Sequence, residues 1–280
     1  NKQQRRWRNV QKIHKIVSEI EKESILSLAE RGKRIDGRGL EDFREVSIEV
    51  GVVEKAEGSA YVTLGDTKIM AGVKVEIGEP FSDTPNKGVF TVNAEFVPLA
   101  SPLFEPGPPD EDAIELARVV DRGIRESEAI DLEKLCLVPG EKVWIIFIDI
   151  YILDHAGNLF DASALGAIAA LLNTKIPEVK VEDGEIKVLD KWVPLPVRKI
   201  PVSVTFAKID DKLIVDPCIE EEHVMNARLT ITMDEEDNIV AIQKGGAGTL
   251  KVEDVYKAIE IAKVKTKEFR EKIPRGGSNG

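Results

Sequence analysis

Arg118, Arg122 and Arg125 stand four and three residues apart, a spacing that brings side chains to one side of a helix. At about 100° per residue the three fall within a ~60° arc. Leu116, Val119, Val120, Gly123 and Ile124 lie roughly opposite. A line of guanidiniums matches a line of phosphates, because each planar fork donates to anionic oxygens in pairs. Glu115, Asp121 and Glu126 are interleaved with the arginines. Helix surfaces commonly use such neighbours as mutual ion pairs, and periodicity alone favours that plainer outcome.

Other groupings carry less. Gly245, Gly246 and Gly248 precede the last helical pattern. A glycine-rich turn at a helix start can hold a phosphate, but there is no P-loop and no GxGxxG, so a plain turn is expected. Glu220, Glu221, Glu222 and His223 read as a solvated acidic run. Adjacent residues do not face one point, and no second cluster adds metal ligands. Asp149, Asp154 and Asp161 could gather at one end of a sheet or cap the turn and helix near them, and we favour the caps. His14 and His155 have no nucleophile motif beside them, and GxSxG, HExxH and CxxC are absent. Cys136 and Cys218 form neither a metal spacing nor a disulfide framework, as expected of a cytoplasmic protein. The residues imply no metal and no cofactor, and no catalytic constellation stands out.

The elements that position these residues follow from periodicity. Val10, Ile13, Val17 and Ile20 predict an amphipathic helix over 9–31, stopped by Gly32. Strands are predicted at 47–53, 61–64, 68–77 and 89–97, with a hairpin turn at Gly65–Asp66. Five prolines make 98–109 a loop, and Asp110 is placed to cap a helix running to about Ala129. Residues 142–153 are apolar on both faces, which suits a central strand. A helix of small residues over 160–173 can pack close to a sheet on several sides. Residues 178–200 are polar and Pro-punctuated and read as an irregular linker. Four strand patterns then return between 202 and 243, and 252–273 has the clearest 3–4 helical alternation in the chain. Strands followed by helices thus occur twice, an α+β arrangement of two similar halves. The expected divisions are a helix and basic tail at 1–33, one domain at 34–177, the linker at 178–200, a second domain at 201–273 and a tail at 274–280.

The chain has 280 residues, enough for a substantial core, and 42% hydrophobic residues exclude a disordered acidic chain. The longest apolar runs, 143–148 and 164–172, fall far short of the roughly 20 residues of a membrane span. Nothing at the start reads as a secretory leader. The net charge of −11 argues against a general nucleic-acid binder. Six basic side chains and no acid fall within residues 1–15, so the remainder is more acidic still. A nucleic-acid role must rest on a local patch, or on one that a partner completes.

Several ordered motifs carry a resemblance. RIDGRGL at 34–40, AEGSAYVTL at 56–64, GDTKI at 65–69 and ELARVVDRGIRES at 115–127 resemble the ribonuclease PH family, and the match runs over about residues 30–270. FVPLASPLFEPGPPDEDAIELARVVDRGIRES and IVDPCIEEEHVMNARLTITMDE are most similar to the non-catalytic subunits of the archaeal exosome ring. The resemblance implies a duplicated βαβ-type ribonuclease PH fold (ribosomal protein S5 domain 2-like), with mixed sheets and packed helices. It also implies a ring of three heterodimers with a catalytic sister subunit, RNA-binding cap subunits, single-stranded RNA as ligand, and no membrane.

Departures from the family pattern shape the expected role. Active members place an arginine after a small Gly-containing segment that holds phosphate; here Leu159 stands there, following His155–Ala156–Gly157–Asn158. They also place an aspartate, the general acid, after the acidic run; here Asn226 is the match, and an amide cannot serve as that acid. The resemblance therefore implies a non-catalytic subunit of a phosphorolytic 3′→5′ RNA-degrading complex. Arg118 and Arg122 would contact the RNA backbone, and Arg125 would face RNA or a subunit interface. The rivals are a self-sufficient exoribonuclease and a scaffold that never touches RNA.

Overall fold

The computed structural model describes residues 22–182 and 185–274. The basic stretch 1–15, His14, the first part of the expected N-terminal helix and residues 275–280 lie outside the described residues.

Helix α1 is seen from 22 to 30. Gly32, at φ 68°, ends it, and the Lys33 N–H closes back on the Leu28 carbonyl at 3.0 Å. Ile25 and Ala29 of α1 are buried against Ala207, Ile209, Ile214 and Val224.

The first sheet contains β1 (Val46–Val50), β2 (Gly58–Leu64), β3 (Thr67–Gly78), β4 (Val89–Phe96), β5 (Cys136–Val138) and β6 (Lys142–Asp154), in the order β1-β2-β3-β6-β4 with β5 beside β6. Gly65, at φ 55°, makes the β2–β3 turn. β6 is central, antiparallel to β3 and parallel to β4. Its Ile146, Ile148, Ile150 and Ile152 are buried on one face, while Phe147, Asp149 and Tyr151 lie on the other, more open face.

Helix α2 (Glu111–Glu126) begins where Asp110 accepts a hydrogen bond from the Ala113 N–H at 2.9 Å. It buries Ala113, Leu116, Val119, Val120, Gly123 and Ile124, the stripe read from the sequence. Helix α3 (Leu159–Leu172) is buried nearly all round. Its alanines and Gly166 let β2 and β3 approach on one side and the strand over Val202–Ile209 on the other. The second sheet comprises β9 (Val202–Ile209), β10 (Lys212–Val215), β11 (Ala227–Met233) and β12 (Ile239–Gly245), in the order β10-β9-β11-β12. Short helix α4 (Ile219–Val224) lies between β10 and β11, and α5 (Val252–Lys272) packs on β9 and β11. One hydrophobic core runs through both halves.

The structure corrects one segment. The stretch at 178–200 is not irregular for most of its length: β7 (Lys175–Glu182) and β8 (Glu185–Pro194) form an antiparallel hairpin. The alternation was present, with Val179 opposite Val188 and Lys180 opposite Lys187, but the charged face obscured it. The prolines do not break the ladder, because Pro177 sits at a register shift and Pro194 at a strand end. Among the described residues no helix is long and apolar enough to cross a membrane.

Candidate functional site

The arginines of α2 share one exposed side of the helix, yet their environments differ. Arg118 has no ion-pair or hydrogen-bond partner among the described residues; it borders a shallow groove with Asn93, Ile114 and Asp121. Arg122 donates to the amide oxygen of Gln243 on β12 at 3.0 Å. Arg125 is tied down. It makes two hydrogen bonds to Asp121, at 2.7 and 3.0 Å, and its guanidinium lies 4.1 Å above the Phe90 ring. The plainer reading of the face therefore holds for Arg125, whose charge is neutralised, while Arg118 and Arg122 keep theirs.

Next to this face is a pocket of about 160 Å³ walled by Phe96, Phe104, Leu159, Phe160, Glu222 and Arg228. Asn158, at φ 53°, caps α3 and turns Leu159 into the wall. His155 stacks on Phe104 at 5.6 Å, and burial, reinforced by His223 and Arg44, lowers its imidazole to about 4. The ring is therefore neutral near pH 7. Glu222 accepts from the Asn158 N–H at 2.8 Å, and burial pushes its carboxyl up to about 7. Arg228 is paired with Glu115 at 2.6 Å and lies 3.9 Å over the Phe160 ring. The wall thus combines apolar surface, carboxyl groups and a neutralised cation, which gives inorganic phosphate no free positive partner.

Asn226 is not brought to this pocket. Its side chain is exposed and accepts from the Asp210 N–H at 2.8 Å, beside the β9–β10 turn. The second-half residues that line the pocket with Leu159 are Glu222, Met225 and Arg228. Gln243 and Arg228 were missed from sequence because their partners are distant, and Glu222 was read as part of a solvated run; Glu115 and Arg228 are separated by 113 positions.

Other expectations resolve as follows. The acidic run is only partly solvated: His223 is exposed and Glu220 and Glu222 are half-buried, but Glu221 is buried and ion-paired with buried Arg34, 187 positions earlier. The three aspartates do not converge. Asp149 accepts from Asn93, Asp154 pairs with Lys68, and buried Asp161 accepts from Asn158 and Thr205. The glycines before α5 serve close packing, since a Cβ on Gly248 would lie 2.5 Å from the Asn226 carbonyl oxygen. Among the described residues no group of three or more His, Cys, Asp or Glu is placed to hold a metal ion.

Comparison with known proteins agrees with this architecture. Domain 1 of the 3′ exoribonuclease family matches residues 42–177, and domain 2 matches residues 199–265. The chain is 59% identical over 260 residues to the exosome complex component Rrp42 of Thermococcus kodakarensis, covering 92% of this chain and 96% of the relative. Identity to the Methanopyrus kandleri component of the same name is 49% over 259 residues, covering 92% and 97%. Among solved structures, a chain of the Archaeoglobus fulgidus exosome with RNA bound to the active site superposes with a TM-score of 0.86 at 53% identity, over 92% of this chain and all of that one. A chain of an archaeal exosome core gives 0.82 at 49% identity, over 92% and 98%.

Proposed function

The chain belongs to the 3′ exoribonuclease family, both of whose domains it carries, and from that premise we propose that it is a non-catalytic, RNA-contacting component of an exosome core. Its relatives bear the name of one exosome component. The partner is a catalytic ribonuclease PH-like sister subunit, alternating with this chain in a cytoplasmic ring of three heterodimers that also carries RNA-binding caps. Residues 34–177 and 201–273 are the two domains, with the β7–β8 hairpin lying largely between them. The absence of catalysis rests on the pocket wall, where Leu159 supplies apolar surface and the nearby cation Arg228 is spent on Glu115.

The observation that carries the RNA role is the uncancelled charge of Arg118 and Arg122. Among the described residues one has no partner and the other has only a neutral amide. Arg125 is paired with Asp121 on its own helix and holds α2 to β4 through Phe90, instead of meeting RNA. On a surface that is acidic overall, two such guanidiniums about 6 Å apart along the helix axis form a local anion track that the partner extends.

The test is Arg118→Ala with Arg122→Ala in the assembled complex. RNA binding should weaken across all sequences. The salt dependence should flatten by roughly 0.7 in slope per lost contact on single-stranded RNA. Assembly should survive, because the mutated side lies opposite the buried stripe of α2. Lys257→Ala on α5, which removes an exposed pair with Glu41, is the control with little expected change. A double variant that assembles, binds and degrades RNA like the wild type over a range of salt overturns the reading.

A further inference from the structure

Arg118, Arg122 and Arg125 are chemically identical, and what distinguishes them is what holds each one. Arg125 is held by a carboxylate, which fixes its place and cancels its charge. Arg118 is held by nothing among the described residues, so it keeps its charge but must be ordered by whatever it binds. Arg122 is the intermediate case: it is anchored, and its anchor is neutral.

The anchor belongs to a chain of four side chains. Arg122 Nη1 donates to Gln243 Oε1 at 3.0 Å, and Gln243 Nε2 donates to Glu115 Oε1 at 3.2 Å. The same Glu115 oxygen accepts from Arg228 Nη2 at 2.6 Å. The amide can point only one way. Turned over, its NH₂ would face a guanidinium and its oxygen a carboxylate. Gln243 also sits on a firm base, in register with Thr230 of β11, whose hydroxyl is bonded to that of Thr205 on β9 at 2.9 Å.

We propose that Gln243 is a positioning residue for RNA, orienting the Arg122 guanidinium from the second half of the molecule without neutralising it. The proposal rests on the RNA role proposed above. Glu115 lies on nearly the same helical bearing as Arg122, about 10.5 Å away along the axis. Its negative charge is taken up by Arg228, and the amide stands between it and Arg122. The anion track thus gains a pre-oriented cation at Arg122 beside an adaptable one at Arg118, and preorganisation lowers the ordering cost of binding.

The decisive variant is Gln243→Glu, nearly the same in shape but able to cancel Arg122. It is measured beside Gln243→Ala, Arg122→Ala and the Arg122→Ala/Gln243→Glu double variant. The assembled complex is titrated with a labelled oligoadenylate over a series of salt concentrations, and assembly of each variant is confirmed by mass. Gln243→Glu should weaken binding roughly three- to tenfold and flatten the salt slope by about 0.7, as Arg122→Ala does. Gln243→Ala should weaken binding by no more than about threefold with the slope unchanged, since it frees the cation without cancelling it. In the Arg122→Ala background, Gln243→Glu should add little.

Equal effects of Gln243→Glu with and without Arg122 would mean that the added charge merely repels RNA, and the positioning role is overturned. So would a Gln243→Glu variant that binds like the wild type. If Arg122→Ala itself changes nothing at any salt, the RNA role of the arginine face fails, and the positioning role with it.

Discussion

Glu222 shows how much a residue's surroundings decide. It lies against Leu159 and Phe160, and burial raises its carboxyl to about 7, above the ordinary 4.5. Asp161, fully buried beneath β9, is likewise raised by burial to about 7. A carboxyl with a raised folded pKa is protonated more readily in the native state than in the unfolded chain. Both groups are neutral in both states below about pH 4, so neither affects stability there. As pH climbs from about 4 to 7 the unfolded chain gives up these protons first, and the native state loses stability. Asp216 is buried too, but hydrogen bonds and charge from Arg44 hold it below the usual carboxylate range. Its stabilisation is lost only in stronger acid, outside that window. Glu222→Gln keeps an acceptor for the Asn158 N–H and removes the titration. The wild type should therefore lose stability between pH 5 and pH 8 more steeply than Glu222→Gln, read as denaturant midpoints at the two pH values. Parallel curves would show that Glu222 does not carry the shift. None of this was legible in the run Glu220–His223, where four charged or polar residues in a row read as solvated surface.

At the scale of elements, regular periodicity was readable and tertiary partnership was not. The stripe of α2, the alternation of α5 and the apolar β6 each carry their signal within a dozen or so neighbouring residues, and each appears where expected. α4 and the β7–β8 hairpin do not. One is a short turn of helix whose Glu221 is buried only because Arg34 reaches it, and the other alternates beneath a cover of lysines and glutamates. The close packing of the β6–α3 connection has no local signal. Gly157, at φ 94°, lies so near α4 that a Cβ would come within 2.6 Å of backbone atoms of Pro217, Cys218 and Ile219. Gly157→Ala therefore meets both a left-handed backbone and an immovable wall, and should cost about 2–4 kcal/mol. Gly140 provides the comparison, with φ 78° and open space around the same hypothetical Cβ. Gly140→Ala should cost only the backbone strain, about 1–2 kcal/mol. Chemical denaturation of both variants separates the two contributions, and equal losses would show that the Gly157 contact relaxes without cost.

For the whole molecule, one of the segments that carried the family resemblance, RIDGRGL, turns out to bind the two halves together. Arg34 donates to Glu221 and to the carbonyls of Val215 and Asp216, while Arg38 and Arg44 both reach the Asp216 carboxylate. From Asp216 the network continues through Asn158 to Asp161 and Thr205. RIDGRGL is thus a structural clasp laid across β10 and α4, and its arginines are neutralised by Glu221 and Asp216 instead of being offered to RNA. Among the described residues this leaves few free guanidiniums on the exterior, and Arg118 and Arg122 can dominate their surroundings. The clasp makes a sharp energetic prediction. Arg34 and Glu221 are both withdrawn from water, so Arg34→Met strands a buried carboxylate and should cost about 3–5 kcal/mol. Adding Glu221→Gln removes the stranded charge and keeps an acceptor for the Cys218 N–H. The double variant should then recover a large share of the loss, since a buried pair stabilises little relative to a neutral replacement. Urea titrations of the wild type, both single variants and the double variant close the cycle. A double variant no more stable than Arg34→Met would mean that Arg34 acts through the Val215 and Asp216 carbonyls alone, and that Glu221 is buried for the sake of the α4 cap.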